Sequence, residues 1–478
     1  GSLHRPPFPP PFRAHLAPLA GGGAGRLGPR WVGRGGPGPP ATPLIRNPLV
    51  TTVADVTNEP TTGGSAGAGL PDEPRFNPFE PGFAEDPYPQ YLAICQREPV
   101  QQTPLGLWAI FDYDDAVKLL RDPRLSVEDK SVRGVNPRAE LRQQILGTRP
   151  ERGTHQILNL DPPDHTRLRA LVQKVFTPRT VEQLAPRVQV LVDDALDTAD
   201  RRGGDATMDV IADLAFPLPF LVISEMLGMP DADRDQLRDW AHTLTLALEP
   251  LLAIQHQDEI LAASDHMTDH VLDVIEWKRA HPADDLLSAL IAAEEGGDTL
   301  SPAELLDQVI LLYVAGHETT VNLIGNGTLA LLRNRGQLER WQTDPSIDSN
   351  AVDELLRYDS PVQFSRRVTT TAVELGDHTI EPGVFVLACL ASANRDPARW
   401  GSHAATLELA RPGAAQQLAF GSGIHHCLGA ALARLEGRTA IGTLIRRFPD
   451  IELATDTPAW NGRLVLRGLD ELPVILRT

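Results

Sequence analysis

Between Leu305 and Leu332 the chain stays mostly apolar for far longer than a β-strand runs, and this stretch constrains the fold more than any other feature of the sequence. Ser301 can cap it, Pro302 suits a first helical position, and Glu304 completes a capping box. The segment therefore reads as one long helix. A helix that is apolar nearly all round must be enclosed by others, which places it through the middle of a helical domain. Ala315-Gly316-His317-Glu318-Thr319-Thr320 interrupts the run at its centre. Ala315 and Thr319 are four apart and share a face, and Gly316 leaves room beside them. A small residue next to a hydroxyl inside a buried helix makes a pocket for a diatomic molecule and water, with Glu318 as a carboxylate for proton relay. The plainer alternative is that Thr319 bonds its preceding turn and Glu318 joins a surface salt bridge.

The remaining pattern is helix-dominated, with strand material confined to small sheets. Leu107–Phe111 reads as a strand and Tyr113–Arg121 as a short helix. From Arg179 to Glu295 the pattern is mainly helical, with breaks at Gly203-Gly204, Pro217 and Pro219, Gly228–Pro230, Pro250 and Pro282. A short helix carries Val352 to Tyr358 and stops before Pro361. Ser360–Leu390 supplies the β part, with Glu381-Pro382-Gly383 as a turn. Residues 1–70 stand apart: they hold 27 Pro plus Gly, with six Arg and no acid before Asp55. Such a leader buries too little apolar surface to offset its ordering entropy and is expected to be disordered. The ordered part is expected to be a single domain over residues 71–478.

The most informative segment is Phe420-Gly421-Ser422-Gly423-Ile424-His425-His426-Cys427-Leu428-Gly429. It is a glycine-bearing loop that presents a cysteine just before a helix expected to run toward Phe448. Glycine permits tight turns and close approach to a flat ligand. A helix N-terminus and nearby amides stabilise a thiolate, which is a good axial ligand for iron. A zinc site would need more Cys or His at ligand spacing. The other cysteines, Cys95 and Cys389, read as buried and inert. Three are too few, and odd in number, for a disulfide framework.

On these residues the chain resembles the cytochrome P-450 superfamily, from about Phe76 to Thr478. Phe420, Gly421, Gly423, His425, Cys427 and Gly429 fill all six positions of that family's heme loop. The likeness is greatest to the soluble bacterial branch, especially actinobacterial enzymes of specialised metabolism. It implies a mainly α fold with small β sheets, a triangular helical prism around a buried heme b. Cys427 would give the axial thiolate, Phe420 would tune it, and Ala315, Gly421 and Gly429 would lie by the ring. His425, His165, Arg169 and Arg367 would bind propionates, with Arg366 a weaker competitor. Glu318 and Thr319 would form the acid–alcohol pair that supplies protons.

Two spacings acquire meaning from the resemblance. Glu354 and Arg357 are three apart, a pair worth only tenths of a kcal/mol on a surface; the family ties such a pair into a buried network, with Arg395 as the expected third member. His165 and Arg169 are four apart on a helix begun after Pro162-Pro163, so both can face one anionic group. The substrate pocket would draw on the Ser126–Thr154 stretch, Asp239–Leu251, Leu312 to Thr319, Val362–Phe364 and Leu464–Leu466. Leu312, Ala315, Val362, Phe364 and Val465 are its candidates, which favours a lipophilic substrate, free or attached to a carrier protein.

The resemblance implies a monooxygenase that uses dioxygen to hydroxylate or epoxidise such a molecule in natural-product biosynthesis. Peroxide-driven oxidation or oxidative coupling, and a non-catalytic heme sensor or carrier, are the alternatives. Only about fifty residues follow Cys427, too few for a reductase module, so a separate ferredoxin and ferredoxin reductase are expected. Arg167, Lys174, Arg434 and Arg438 could receive an acidic partner. A net charge of -19 argues against wholesale nucleic-acid binding. No stretch reads as a membrane anchor or signal peptide, so a cytoplasmic location is expected.

Overall fold

The computed structural model describes residues 74–103, 106–133, 153–202, 207–230, 234–295 and 297–477. The expected leader over residues 1–70 and most of the Ser126–Thr154 stretch lie outside the described residues. Glu73–Thr478 forms one compact unit.

Its principal elements follow in chain order. Helix α1 (Tyr88–Arg97) leads to β1 (Val100–Gln102) and β2 (Trp108–Ile110). Helix α2 (Tyr113–Arg121) begins where the Asp112 side chain accepts from Asp115 N–H, and β3 is Leu125–Ser126. Helices α3 (Asp164–Val175), α4 (Ala185–Asp200), α5 (Pro217–Leu227), α6 (Arg234–Thr245) and α7 (Gln257–Ala280) come next. The long helix α8 (Pro302–Arg333) carries the expected capping box between Ser301 and Glu304. Helix α9 (Asp348–Tyr358), β4 (Phe364–Thr369), β5 (Phe385–Cys389) and α10 (Ala430–Arg447) complete the set.

Helix α8 packs against α5, α6, α7, α9 and α10, so the apolar rod is enclosed as its composition requires. The five-stranded sheet has the order β1–β2–β5–β4–β3. Only the β2–β5 pair is parallel, with Val386 opposite Trp108; the others are antiparallel. This sheet carries Arg366 and Arg367 on β4.

One expectation needs correction. A new helix opens at Pro217, as expected, but Pro219 falls within its first turn and does not break it. There the missing N–H groups have no intrahelical partner to lose. Strand β4 lies within the Ser360–Leu390 stretch expected to supply the β part; on it Arg366 donates to Asp129, and Arg367 to Ser365 Oγ and Arg366 O.

Candidate active site

The cysteine loop is built by short-range backbone bonds and by α2. Gly421 N–H donates to Leu418 O at 2.7 Å, and Cys427 N–H donates to Phe420 O at 2.9 Å. Gly421 and Gly423 both have positive φ, 69° and 73°. A Cβ on Gly423 would lie 2.6 Å from Leu120 O, so only glycine lets the loop press on α2. Arg121 Nε donates to Ser422 Oγ at 2.8 Å from the same helix end. Arg434 reaches back from α10, with its guanidinium 4.6 Å from the Phe420 ring centre and its Nε donating to Asp353 at 2.9 Å. Helix α10 begins at Ala430, two residues later than the reading "just after Cys427" implies.

Cys427 is the one exposed cysteine of the three; Cys389 is buried and Cys95 intermediate. Burial pushes the Cys95 thiol up to about 12 and lifts Cys389 well above its ordinary range, so both are inert. Burial also lifts the Cys427 thiol, while the Gly429 N–H, Arg169 and Arg434 pull it down. A thiol open to solvent yet desolvated looks into an enclosed space rather than bulk water.

The middle of α8 has the same character. Val321 to Leu331 is buried throughout, whereas Leu312 is half-buried and Ala315 and Gly316 are exposed. An added Cβ on Gly316 would meet nothing within 4 Å. The open face inside an otherwise enclosed helix marks a hollow. Thr319 Oγ1 donates to Ala315 O at 2.9 Å, the plainer alternative of the two read from sequence. Glu318 is not in a surface salt bridge. It is buried, its Oε2 lies 2.9 Å from His242 Nδ1, and its Oε1 lies 3.2 Å from Arg463 Nη1. Those partners hold its carboxyl below the usual range despite burial.

Next to the cysteine loop lies a group of nitrogen-bearing side chains without acidic partners among the described residues. Both ring nitrogens of His165 and the Nε2 of His425 are buried without a hydrogen-bond partner among the described residues. The two rings are 4.3 Å apart. Burial, then His165, Arg367 and Arg169, push the His425 imidazole down to about 3. Arg367 is buried, donates only to Ser365 Oγ and Arg366 O, and has no ion pair among the described residues. Burial lowers it to about 10. Arg366 instead donates to Asp129 at 2.8 Å, so the competitor is already satisfied. Arg169 Nη2 donates to His426 O at 2.7 Å.

The expected third member of the Glu354–Arg357 network is wrong. Glu354 and Arg357 are fully buried and doubly bonded, at 2.7 and 2.8 Å. The third member is Arg411, whose Nε donates to both Glu354 oxygens at 3.0 and 3.1 Å. Arg395 lies between the Tyr88 and Tyr358 rings, 3.4 and 4.0 Å from their centres, with its Nε on Tyr358 O. The neighbouring Asn394 carbonyl, not the Arg395 side chain, faces Arg357.

The pocket candidates divide. Leu312, Val362 and Val465 are half-buried, consistent with lining. Phe364 is 7% exposed and packs among Phe76, Tyr91, Phe111 and Cys389, so it is a core residue. Of the cations expected to face a partner, Arg167 pairs with Asp298 and Glu304, and Arg434 with Asp353.

A family model described as cytochrome P-450 matches residues 100–344 and 349–460. The chain belongs to the cytochrome P-450 family. It is 42% identical over 409 residues to cytochrome P-450 107B1 of Saccharopolyspora erythraea, covering 84% of this chain and 98% of that one. The solved structure of the bacillaene polyketide synthase cytochrome P-450 PksS of Bacillus subtilis matches with a TM-score of 0.75 and 36% identity, over 84% of this chain and all of that one. An epothilone D-bound cytochrome P-450 matches with a TM-score of 0.77 and 30% identity, over 84% of this chain and 99% of that one.

This cytochrome P-450 is thus a heme-thiolate monooxygenase with iron as its metal. The heme fits the residues present. Four nitrogen-bearing side chains without acidic partners among the described residues can bind anionic oxygens, and Cys427, the exposed cysteine, stands beside them. Among the described residues no cluster of three His, Cys, Asp or Glu could hold a bare metal ion. No helix among them is long and apolar enough to cross a membrane. Sequence reading missed Arg411, His242 and Arg463, since none belongs to a local motif.

Proposed function

We propose that Cys427 supplies the axial thiolate and that His165, Arg169, Arg367 and His425 take the two heme propionates. Phe420, Gly421 and Gly429 would lie on the cysteine side of the ring and Ala315 on the other. When bound, the heme supplies dioxygen activation, which electron donation from a thiolate favours. The chain's own part is placement and proton supply. Glu318, a carboxylate at rest, would take up the proton, and the Thr319 hydroxyl would hand it on, once it turns from Ala315 O.

The hollow lined by Leu312, Val362 and Val465 suits a lipophilic substrate hydroxylated or epoxidised on carbon. One structural relative belongs to a polyketide synthase and another holds epothilone D, which supports a polyketide-derived substrate, free or carrier-bound. The catalytic unit would be residues 71–478. Electrons would come from a separate ferredoxin and ferredoxin reductase in the cytoplasm, with Arg438 a contact candidate.

The single observation that carries this reading is the pair of rings, His165 and His425, whose buried nitrogens lack partners among the described residues beside Cys427, with Arg367 close by and without an ion pair there. Heme-reconstituted protein, reduced under carbon monoxide, should give the red-shifted Soret band of thiolate ligation. Cys427→Ala should abolish it; an unchanged band would remove Cys427 from the iron. Product formed from dioxygen with a surrogate ferredoxin system supports monooxygenation, whereas product from peroxide alone would replace that reading.

A further inference from the structure

We propose that His242 is a proton relay that connects the exterior to Glu318, with Arg463 as the residue that positions both. The proposal deepens the acid–alcohol reading of Glu318 and Thr319 and rests on it. Glu318 has a side chain only 6% exposed, whereas His242, at the end of α6, is 40% exposed. The ring thus spans the layer between solvent and the acid. Its Nδ1 is 2.9 Å from Glu318 Oε2, and its Nε2 is 3.4 Å from Arg463 Nη2. Arg463 is 6% exposed; its Nη1 reaches Glu318 Oε1 at 3.2 Å and donates to Thr245 Oγ1 at 2.9 Å.

The proposed resting state of this ring follows from donor and acceptor chemistry. A carboxylate only accepts and a guanidinium only donates. Nδ1 therefore carries the hydrogen and Nε2 is bare, so the imidazole is neutral. A proton arriving on Nε2 turns both nitrogens into donors, which parts Nε2 from Arg463. The Nδ1–H bond then breaks and an Oε2–H bond forms on Glu318, the electron pair staying on Nδ1. The ring is neutral again, with its hydrogen on Nε2. Glu318, now an acid, releases its proton toward the Thr319 side and returns to carboxylate. Exchange with water at the open ring, which takes the Nε2 hydrogen and returns one to Nδ1, restores the first arrangement. One proton enters and one leaves, so no charge accumulates in the hollow.

The other charged and titratable neighbours are compatible with this path. His317 donates its Nε2 hydrogen to Phe216 O at 2.8 Å and is held neutral by burial, so it does not compete. The Phe216 ring packs edge-on against His242 at 5.6 Å, and Arg238 lies 5.3 Å from that ring's centre. Glu249 binds the backbone of the loop that carries Arg463.

His242→Gln is the decisive variant. Its amide can donate to Glu318 and accept from Arg463, so it preserves both contacts, but it cannot transfer a proton. Turnover is followed with a surrogate ferredoxin and ferredoxin reductase, on the polyketide macrolactone that gives the largest spectral shift on binding. The variant should keep heme, thiolate spectrum and macrolactone affinity. Product formation should fall about tenfold or more, with a larger solvent isotope effect. A variant equal to wild type in rate and isotope effect would make His242 a spacer and overturn the relay. Nitrogen NMR of histidine-labelled protein in the reduced carbon monoxide form tests the resting state without turnover. It should find the hydrogen on Nδ1; a hydrogen on Nε2 at neutral pH would overturn the proposal even if the variant does not fold. Failure of the relay leaves the wild-type thiolate spectrum intact, whereas failure of the underlying reading removes that spectrum.

Discussion

Glu436 carries a stability effect that no motif announces. It sits in α10, fully enclosed, with Oε1 lacking a partner among the described residues. Burial pushes its carboxyl up from 4.5 to about 8. Between those values the folded chain keeps a proton that the unfolded chain loses, so stability falls as pH rises. Glu436→Gln removes that dependence. Its melting temperature should pull above wild type as pH is raised from about 5 to about 8. A gap that stays constant over this range would show that the carboxyl is already ionised. His317 acts in the opposite direction, because burial pushes its imidazole from 6.5 down to about 4. The unfolded chain binds a proton there that the folded one refuses, so stability is lost as pH falls through this window. His317→Gln can still donate to Phe216 O, and its acid melting limb should be flatter than wild type; an identical limb would clear His317. Cys427, Gly421 and Gly423 were legible in the sequence because their chemistry is local to ten residues. Glu436 was not, since the packing of other helices, α8 among them, on α10 removes its water.

At the scale of elements, α8 could be read to within a residue at each end, because its cap and apolar content act locally. The network under α9 could be read only in part. Glu354 and Arg357 share a helix, so their spacing is informative, but Arg411 arrives from a loop 57 residues away. A single arginine in a loop has no periodicity to reveal its partner. The correction has energetic consequences. Arg411→Leu leaves Glu354 one cation short in a buried site, and Glu354→Ala leaves two buried arginines without their acid. Losing one partner of a buried pair costs about 3–5 kcal/mol, so both variants should show large drops in chemical denaturation. Arg395→Ala removes only stacking on two tyrosine rings and one bond to Tyr358 O, worth about 1–2 kcal/mol. Equal losses for Arg395→Ala and Arg411→Leu would return Arg395 to the network.

At the scale of the whole molecule, one carboxylate ties two regions more than two hundred residues apart. Glu249, between α6 and α7, is 2% exposed and accepts from Leu464 N–H at 2.9 Å, Val465 N–H at 3.0 Å and Leu466 N–H at 2.7 Å. The same loop is fixed on its other side, where Gln363 N–H donates to Val465 O at 2.9 Å. The segment after α6 and the loop bearing Arg463 and Val465 are therefore one mechanical unit over the hollow. Glu249→Ala frees three amides in a loop that water can reach by a local opening, without unfolding the core. Charge-assisted bonds of this kind contribute about 1.5–3 kcal/mol each when buried. Hydrogen exchange at residues 464–466 should accelerate strongly, while exchange in the core of α8 changes little. Arg463 would lose its fixed loop, so the Glu318–Arg463 contact should weaken in the same variant. If amides 464–466 stay as protected as in wild type, Gln363 and the Val362–Leu466 bridge hold the loop alone, and Glu249 is not the clasp.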